Sequence, residues 1–224
     1  MKKALTLLRE RWYDLGVIPA VIALVCLVLF WKDMDVLQRL ALINFIVILL
    51  HQFEEYRFPG GEPAIINLAV QPKSKDKYDR YPLNQLNAMF INVVAAYIVY
   101  LLPVFFPHVL CLAFMSVVFG ISQLVIHVII TPRKIGNKIY SPGSIAVVFG
   151  HIPVGIWWFW YVISNGMLGV WDIVIGIVYL AFFMRVVMLK IGYGVLSPED
   201  SKYPFPEEEF ERGGYARKIR NLKK

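Results

Sequence analysis

His51-Gln52-Phe53-Glu54-Glu55 places one imidazole and two carboxylates at the end of a long, mostly apolar run. Positions i, i+3 and i+4 of a helix share a face, so His51, Glu54 and Glu55 are expected to converge on one spot. Ionisable side chains at the end of an apolar helix are costly unless paired or used, and in a membrane span they mark a functional site. Imidazole and carboxylate together form a ligand set for a divalent metal, zinc first and iron or manganese next. Without a metal, the same groups can run direct acid–base chemistry. Both chemistries stay open in the sequence.

The elements that must hold these residues are membrane spans. The chain has 224 residues, of which 58% are hydrophobic, with a mean hydropathy of +0.58; soluble domains sit at about 45–50% apolar. Apolar runs of about twenty residues predict six helices, near 15–31, 36–55, 83–106, 107–130, 142–163 and 167–189. The expected fold is therefore all-α, a polytopic transmembrane bundle over residues 1–195 followed by a charged tail over 196–224. Pro103 and Pro107 mark a tight turn between the third and fourth runs, and Ser141-Pro142-Gly143 opens the fifth.

Basic residues orient the bundle. Lys2, Lys3, Arg9 and Arg11 precede the first run, five Lys/Arg from Arg57 to Arg80 follow the second, and Arg133, Lys134 and Lys138 follow the fourth. The alternate connections are nearly devoid of them, so the positive-inside rule puts both termini in the cytoplasm. A multi-pass place in a cytoplasmic (inner) membrane follows as the expectation. The net charge of +7 is spread along these loops rather than gathered on one patch, which argues against nucleic acid. The terminal basic group of the tail, Arg217 to Lys224, suits anionic lipid heads or plain solvent equally. Cys26 and Cys111 sit in different spans and read as packing residues.

With that topology, four spans bring polar residues to similar depth. His51, Glu54 and Glu55 end the second, Asn84, Asn87 and Asn92 begin the third, Gln123 and His127 near the end of the fourth form an i, i+4 pair, and His151 lies about eight residues, roughly 12 Å, into the fifth. His51, Glu55, His127 and His151 are the candidate metal ligands; Glu54, Glu55 and His127 are the candidate catalytic groups. Asn87, Asn92, Gln123 and Tyr140 are candidates for contacting substrate or supporting the ligands. Each also has a plainer use: buried histidines as hydrogen-bonded packing, asparagines joining helices, Glu54 or Glu55 paired with Arg57, and His108 at the interface.

His51-x-x-Glu54-Glu55, the following Tyr56-x-Phe58-Pro59-Gly60, the Asn-rich start of the third span, His127 and Tyr140-Ser141-Pro142-Gly143 resemble the bacterial family named for its HXXEE motif, over about residues 36–160. That resemblance implies a small multi-span membrane protein and carries no established activity. The chain departs from H-E-x-x-H metalloproteases, which need two histidines four apart. It departs too from CAAX-type glutamic proteases. Arg57 follows Glu55 too closely for their E-E-x-x-x-R pattern, and Gln123 and Val147 stand where F-x-x-x-H needs phenylalanine.

The leading expectation is a membrane enzyme, metal-assisted, that hydrolyses or isomerises a lipidic or amphipathic substrate at the His/Glu cluster in the cytoplasmic half of the bilayer. A proton-coupled carrier and a non-catalytic role such as an immunity factor are the alternatives. No inverted repeat supports the carrier.

Overall fold

The computed structural model describes residues 2–223. Helices α1 (Lys2–Leu15) and α2 (Val17–Leu29) meet at Gly16 with a bend of 45°. They are followed by α3 (Val36–Tyr56), the short α4 (Glu62–Ile65), α5 (Gln85–Phe105), α6 (Leu110–Lys134), α7 (Ser144–Ser164), α8 (Val170–Val195) and a tail helix, α9 (Tyr215–Leu222). Five of these, α3 and α5 to α8, are long and apolar enough to cross a membrane, and a sixth crossing results if the bent pair is one span. The first expected span is thus shorter than its apolar run. The 13 residues of α2 reach about 20 Å at 1.5 Å each, and the amphipathic α1 continues them at an angle.

Helix α3 is the pivot of the bundle. Two thirds of its apolar window is buried, against about a tenth for α8, so α3 sits inside a ring of α2, α5, α6 and α7 while α8 packs from outside on α6. Leu42, Phe45, Ile48 and Leu49 of α3 meet Ala96, Val99 and Tyr100 of α5, Met115 and Phe119 of α6, and Phe183 of α8. Ile18, Ile22, Phe149, Ile156, Trp160 and Val178 remain exposed. Such a girdle of apolar side chains suits a hydrocarbon solvent, because each helix satisfies its own backbone.

At one end the two termini come together. Trp12 and Tyr13 of α1 pack on Tyr56 at the end of α3, along with Phe205 and Phe210 of the tail. Beside them Ile65 and Ile135 receive Tyr215 and Ile219 of α9. Arg212 donates to the Tyr56 carbonyl at 2.7 Å; a cation there satisfies the free carbonyls and opposes the negative end of α3. At this same end α3 and α6 finish while α5 and α7 begin, which is the arrangement that brings the polar residues level.

Candidate metal centre

His127 owes its position to a local failure of helix geometry. Wide, π-type turns interrupt α6 at Val125–Ile130 and α7 at Val147–His151, so both distal histidines lie in such segments, which often accompany functional sites. The Thr131 amide bonds to Ile126 rather than His127, and Pro132 has no amide to offer. The freed His127 carbonyl accepts from the Ser141 and Ser144 hydroxyls instead, at 2.8 and 2.7 Å. The Tyr140-to-Ser144 turn is thereby fastened to the end of α6, and the Pro142 carbonyl comes within 2.7 Å of His127 Nδ1.

That contact fixes the tautomer. A carbonyl can only accept, so Nδ1 carries the proton and Nε2 presents a bare lone pair. His127 Nε2 lies 3.3 Å from Glu55 Oε1, and His51 Nε2 lies 3.3 Å from the same oxygen. Two acceptors face each other at that distance only if a proton or a metal ion lies between them. The three ligand atoms lie within 4.8 Å of one another, and all three residues are buried. A divalent cation fits this donor set by chemistry as well as by spacing: neutral imidazole nitrogen and carboxylate oxygen suit zinc, iron and manganese. Gly143, at φ +93°, completes the cradle. A Cβ there would fall 2.7 Å from His127 Nδ1 and 2.9 Å from His51 Cε1, so neither the conformation nor the space admits a side chain.

His151 stands behind the three. Its ring centroid is 5.7 Å from that of His51. Its Nδ1 lies 2.9 Å from the side-chain oxygen of Asn44, whose amide reaches Ser116 at 3.4 Å. With Nδ1 donating, His151 Nε2 is a buried lone pair without a hydrogen-bond partner, and His51 Nδ1 is a second unpartnered buried nitrogen. Buried polar atoms normally find partners; two orphans on neighbouring imidazoles, one of them next to Glu55, point to a site rather than a packed core.

Glu54 and Glu55 divide the work, because neighbouring helical residues point about 100° apart. Only Glu55 joins the imidazoles. Glu54, expected on the same spot, turns to the start of α7, where its carboxylate accepts the Ile145 and Ala146 amides at 3.2 and 3.0 Å and the Tyr140 hydroxyl at 3.2 Å. It thus satisfies free amides at the positive end of another helix. Glu54 also lines an apolar groove of about 350 Å³, with Val47, Leu50, Ile145, Ala146, Phe149 and Gly150. Arg57 pairs with Asp14 at 3.2 Å and leaves both glutamates alone.

The other expected residues lie apart. Asn87 is bound into a capping box with Asn84 at the start of α5 and donates to Pro82 and Gly192. Asn92 donates to Ala88 while its carbonyl accepts from Gln52. Gln123 is half-buried, and among the described residues no hydrogen bond joins it to the histidines. His108 is exposed and pairs with Asp35 at 2.9 Å. Sequence reasoning passed over Asn44, Ser144 and Glu62, and read Ser141 and Gly143 only as the opening of a span and part of the family motif. The Glu62 carboxyl is buried, its Oε2 has no partner, and burial, with Glu55's charge second, holds its pKa well above the ordinary value. A polar residue inside an apolar run was the available signal for Asn44.

Among known families, the model described as "Protein of unknown function with HXXEE motif" matches residues 42–158. The chain belongs to that family, and the matched region contains His51, Glu54, Glu55, His127 and His151 alike. No curated protein and no solved structure matches the chain.

Proposed function

We propose that this HXXEE protein is an integral membrane enzyme that hydrolyses a lipidic or amphipathic substrate with the help of a divalent metal. The observation that carries this reading is the His127 Nε2 lone pair facing Glu55 Oε1, with His51 Nε2 on the same oxygen. His51, Glu55 and His127 hold the ion, zinc first by donor type, and His151 supports or joins them. A bound divalent ion supplies Lewis acidity and lowers the pKa of water.

The chain's own groups do the rest. Val47, Leu50, Ile145 and Phe149 receive the apolar part of the substrate, and the groove runs along the lipid-facing side, where Leu50, Ile145 and Phe149 are exposed. Glu54, which lines that groove, takes a proton from the attacking water and passes it through the Tyr140 hydroxyl hydrogen-bonded to it to the leaving group. The amides of Ile145 and Ala146 keep Glu54 aimed without help from substrate. The basic loops argue for cytoplasmic termini in a bacterial inner membrane, with the site opening to the cytoplasmic leaflet.

Elemental analysis of detergent-purified protein tests the reading directly. Near-stoichiometric zinc, iron or manganese in the wild type, lost in both His51→Ala and His127→Ala, supports it. Wild-type protein purified without chelator and free of metal after reconstitution with each of the three ions overturns it, and turns the same residues toward direct proton transfer.

A further inference from the structure

A second cavity, of about 470 Å³, lies between the loop after α4 and the tail helix α9, away from the histidines. Lys73 and Lys75 of the loop and Arg220 and Lys223 of the tail line it with Asn67, Leu68, Pro72, Ser74 and Tyr78, and no carboxylate is among these residues. The tail cations arrive here because α9 buries Tyr215, Ala216 and Ile219 against the bundle end and turns its basic face outward. Arg220 is steadied over the Tyr78 ring, 5.2 Å from its centroid, and one of its nitrogens reaches Glu211 at 2.6 Å. Lys223 spends one donor on the Leu68 carbonyl. Among the described residues neither Lys73 nor Lys75 has an anionic partner within ion-pair distance.

Lys73, Lys75 and Lys223 converge on one concavity beside Arg220, whose charge Glu211 partly offsets; the remaining like charges repel one another, and an anion between them relieves that cost. Neutral polar ligands have little to gain here. Asn67 at the floor is fully committed, donating to Tyr78 and Leu83 and accepting from Leu83. A planar guanidinium beside several ammonium groups is the combination that recognises phosphate, the arginine by paired hydrogen bonds and the lysines as point charges.

We infer that this cavity binds a phosphate group, carried by an anionic lipid headgroup or free in solution, between Lys73 and Lys75 of the loop, Arg220 of α9 and Lys223 just after it. Occupancy ties the tail helix to the loop. It therefore steadies the segment whose Arg212 caps α3 next to the HXXEE residues.

The test uses the full chain in a neutral detergent, titrated with inorganic phosphate and, separately, with short-chain phosphatidic acid, reading binding by calorimetry and the shift in unfolding midpoint. Both titrations are repeated on the His127→Ala background, so that phosphate held at the histidine site is not counted. Saturable binding that weakens at least ~10-fold in Lys73→Gln/Lys75→Gln and in Arg220→Gln, but not in Lys77→Gln on the same loop, supports the site. The double lysine variant leaves α9 untouched, so an unchanged ligand-free midpoint separates loss of binding from loss of fold. Binding of inorganic phosphate identifies a free phosphate as sufficient; binding of phosphatidic acid alone identifies the lipid headgroup. Absence of both, or equal weakening by Lys77→Gln, overturns the inference.

Discussion

Two buried polar clusters lie at the same end of this bundle, and they differ in how completely they satisfy themselves. In the first, Asn67, Asn84, Asn87 and Ser197 close on one another's backbones: Asn67 clasps Tyr78 and Leu83, Asn84 and Asn87 cap α5 reciprocally, and Ser197 donates to Pro82. Every strong donor and acceptor there is used within the chain. In the second, His51 and His127 both set Nε2 against one Glu55 oxygen, and His51 and His151 each keep an unpartnered nitrogen. The first cluster is a clamp that is complete as it stands. The second is incomplete without a proton or an ion, and that incompleteness separates a site from a polar core far better than residue type or depth does.

The contrast breaks most clearly by removing ligands. His51→Ala and His127→Ala are expected to lower metal affinity by at least ~100-fold, since each deletes a direct ligand, while Asn87→Ala keeps full metal content. Elemental analysis and competition with a chromophoric chelator distinguish these outcomes. If Asn87→Ala also strips the metal, the two clusters are one unit and the distinction fails.

Gly143→Ala attacks the cradle without touching a ligand. Its Cβ would meet both imidazoles under 3.0 Å, and its backbone sits at φ +93°, so a loss of about 2–4 kcal/mol is expected from strain and overpacking together. Denaturant unfolding reads the stability, and metal content falls with it. In the clamp, Asn87→Ala orphans the Asn84 amide, while the Pro82 carbonyl keeps the Ser197 hydroxyl as its donor. That costs about 1–3 kcal/mol, read by the same unfolding curve with the metal still bound.

Much of this was legible in the chain. Composition and the length of the apolar runs revealed the all-α span pattern, and the helical period revealed that His51 and Glu55 share a face. Residue depth brought His127 level with them. What period could not decide was which glutamate faces inward, because Glu54 and Glu55 differ only by a rotation that packing sets. Nor could it reveal the clasp of Ser141 and Ser144 on the His127 carbonyl, which arises from a hydrogen-bond shift before Pro132. Asn87 looked like a site residue by type and depth; its role as a cap depends on the chain entering α5 from an extended Asn84.

Asn44→Ala offers a smaller and sharper probe. Among the histidines of the described residues, Asn44 hydrogen-bonds only His151, at 2.9 Å, so its hydrogen bond acts on the centre by holding that ring. Removal of such a supporting partner lowers metal affinity by about 10–100-fold elsewhere, and the lower end is expected here because His151 lies behind the three nearest ligand atoms. A matching loss in His151→Gln, with no further loss in the double variant, places both on one path. Additive losses would show instead that Asn44 acts through packing.

Glu62→Gln makes the smallest change and tests whether the open cluster extends toward the tail. The Glu62 carboxyl is held protonated by burial first and by the charge of Glu55 second, so its folded pKa lies well above the ordinary 4.5. A raised pKa means that the folded chain binds the proton more tightly than the unfolded one. The resulting stability is therefore fully present below about 4.5 and declines as pH rises toward the folded value. Glu62→Gln keeps the shape and removes the titration, so metal-free variant and wild type should unfold alike in acid, with the variant the more stable as pH rises. Repeating the comparison on a Glu55→Gln background should shrink the difference, because the second cause is then gone. A difference that stays the same would leave desolvation as the whole cause and confine the open cluster to the three histidines and Glu55.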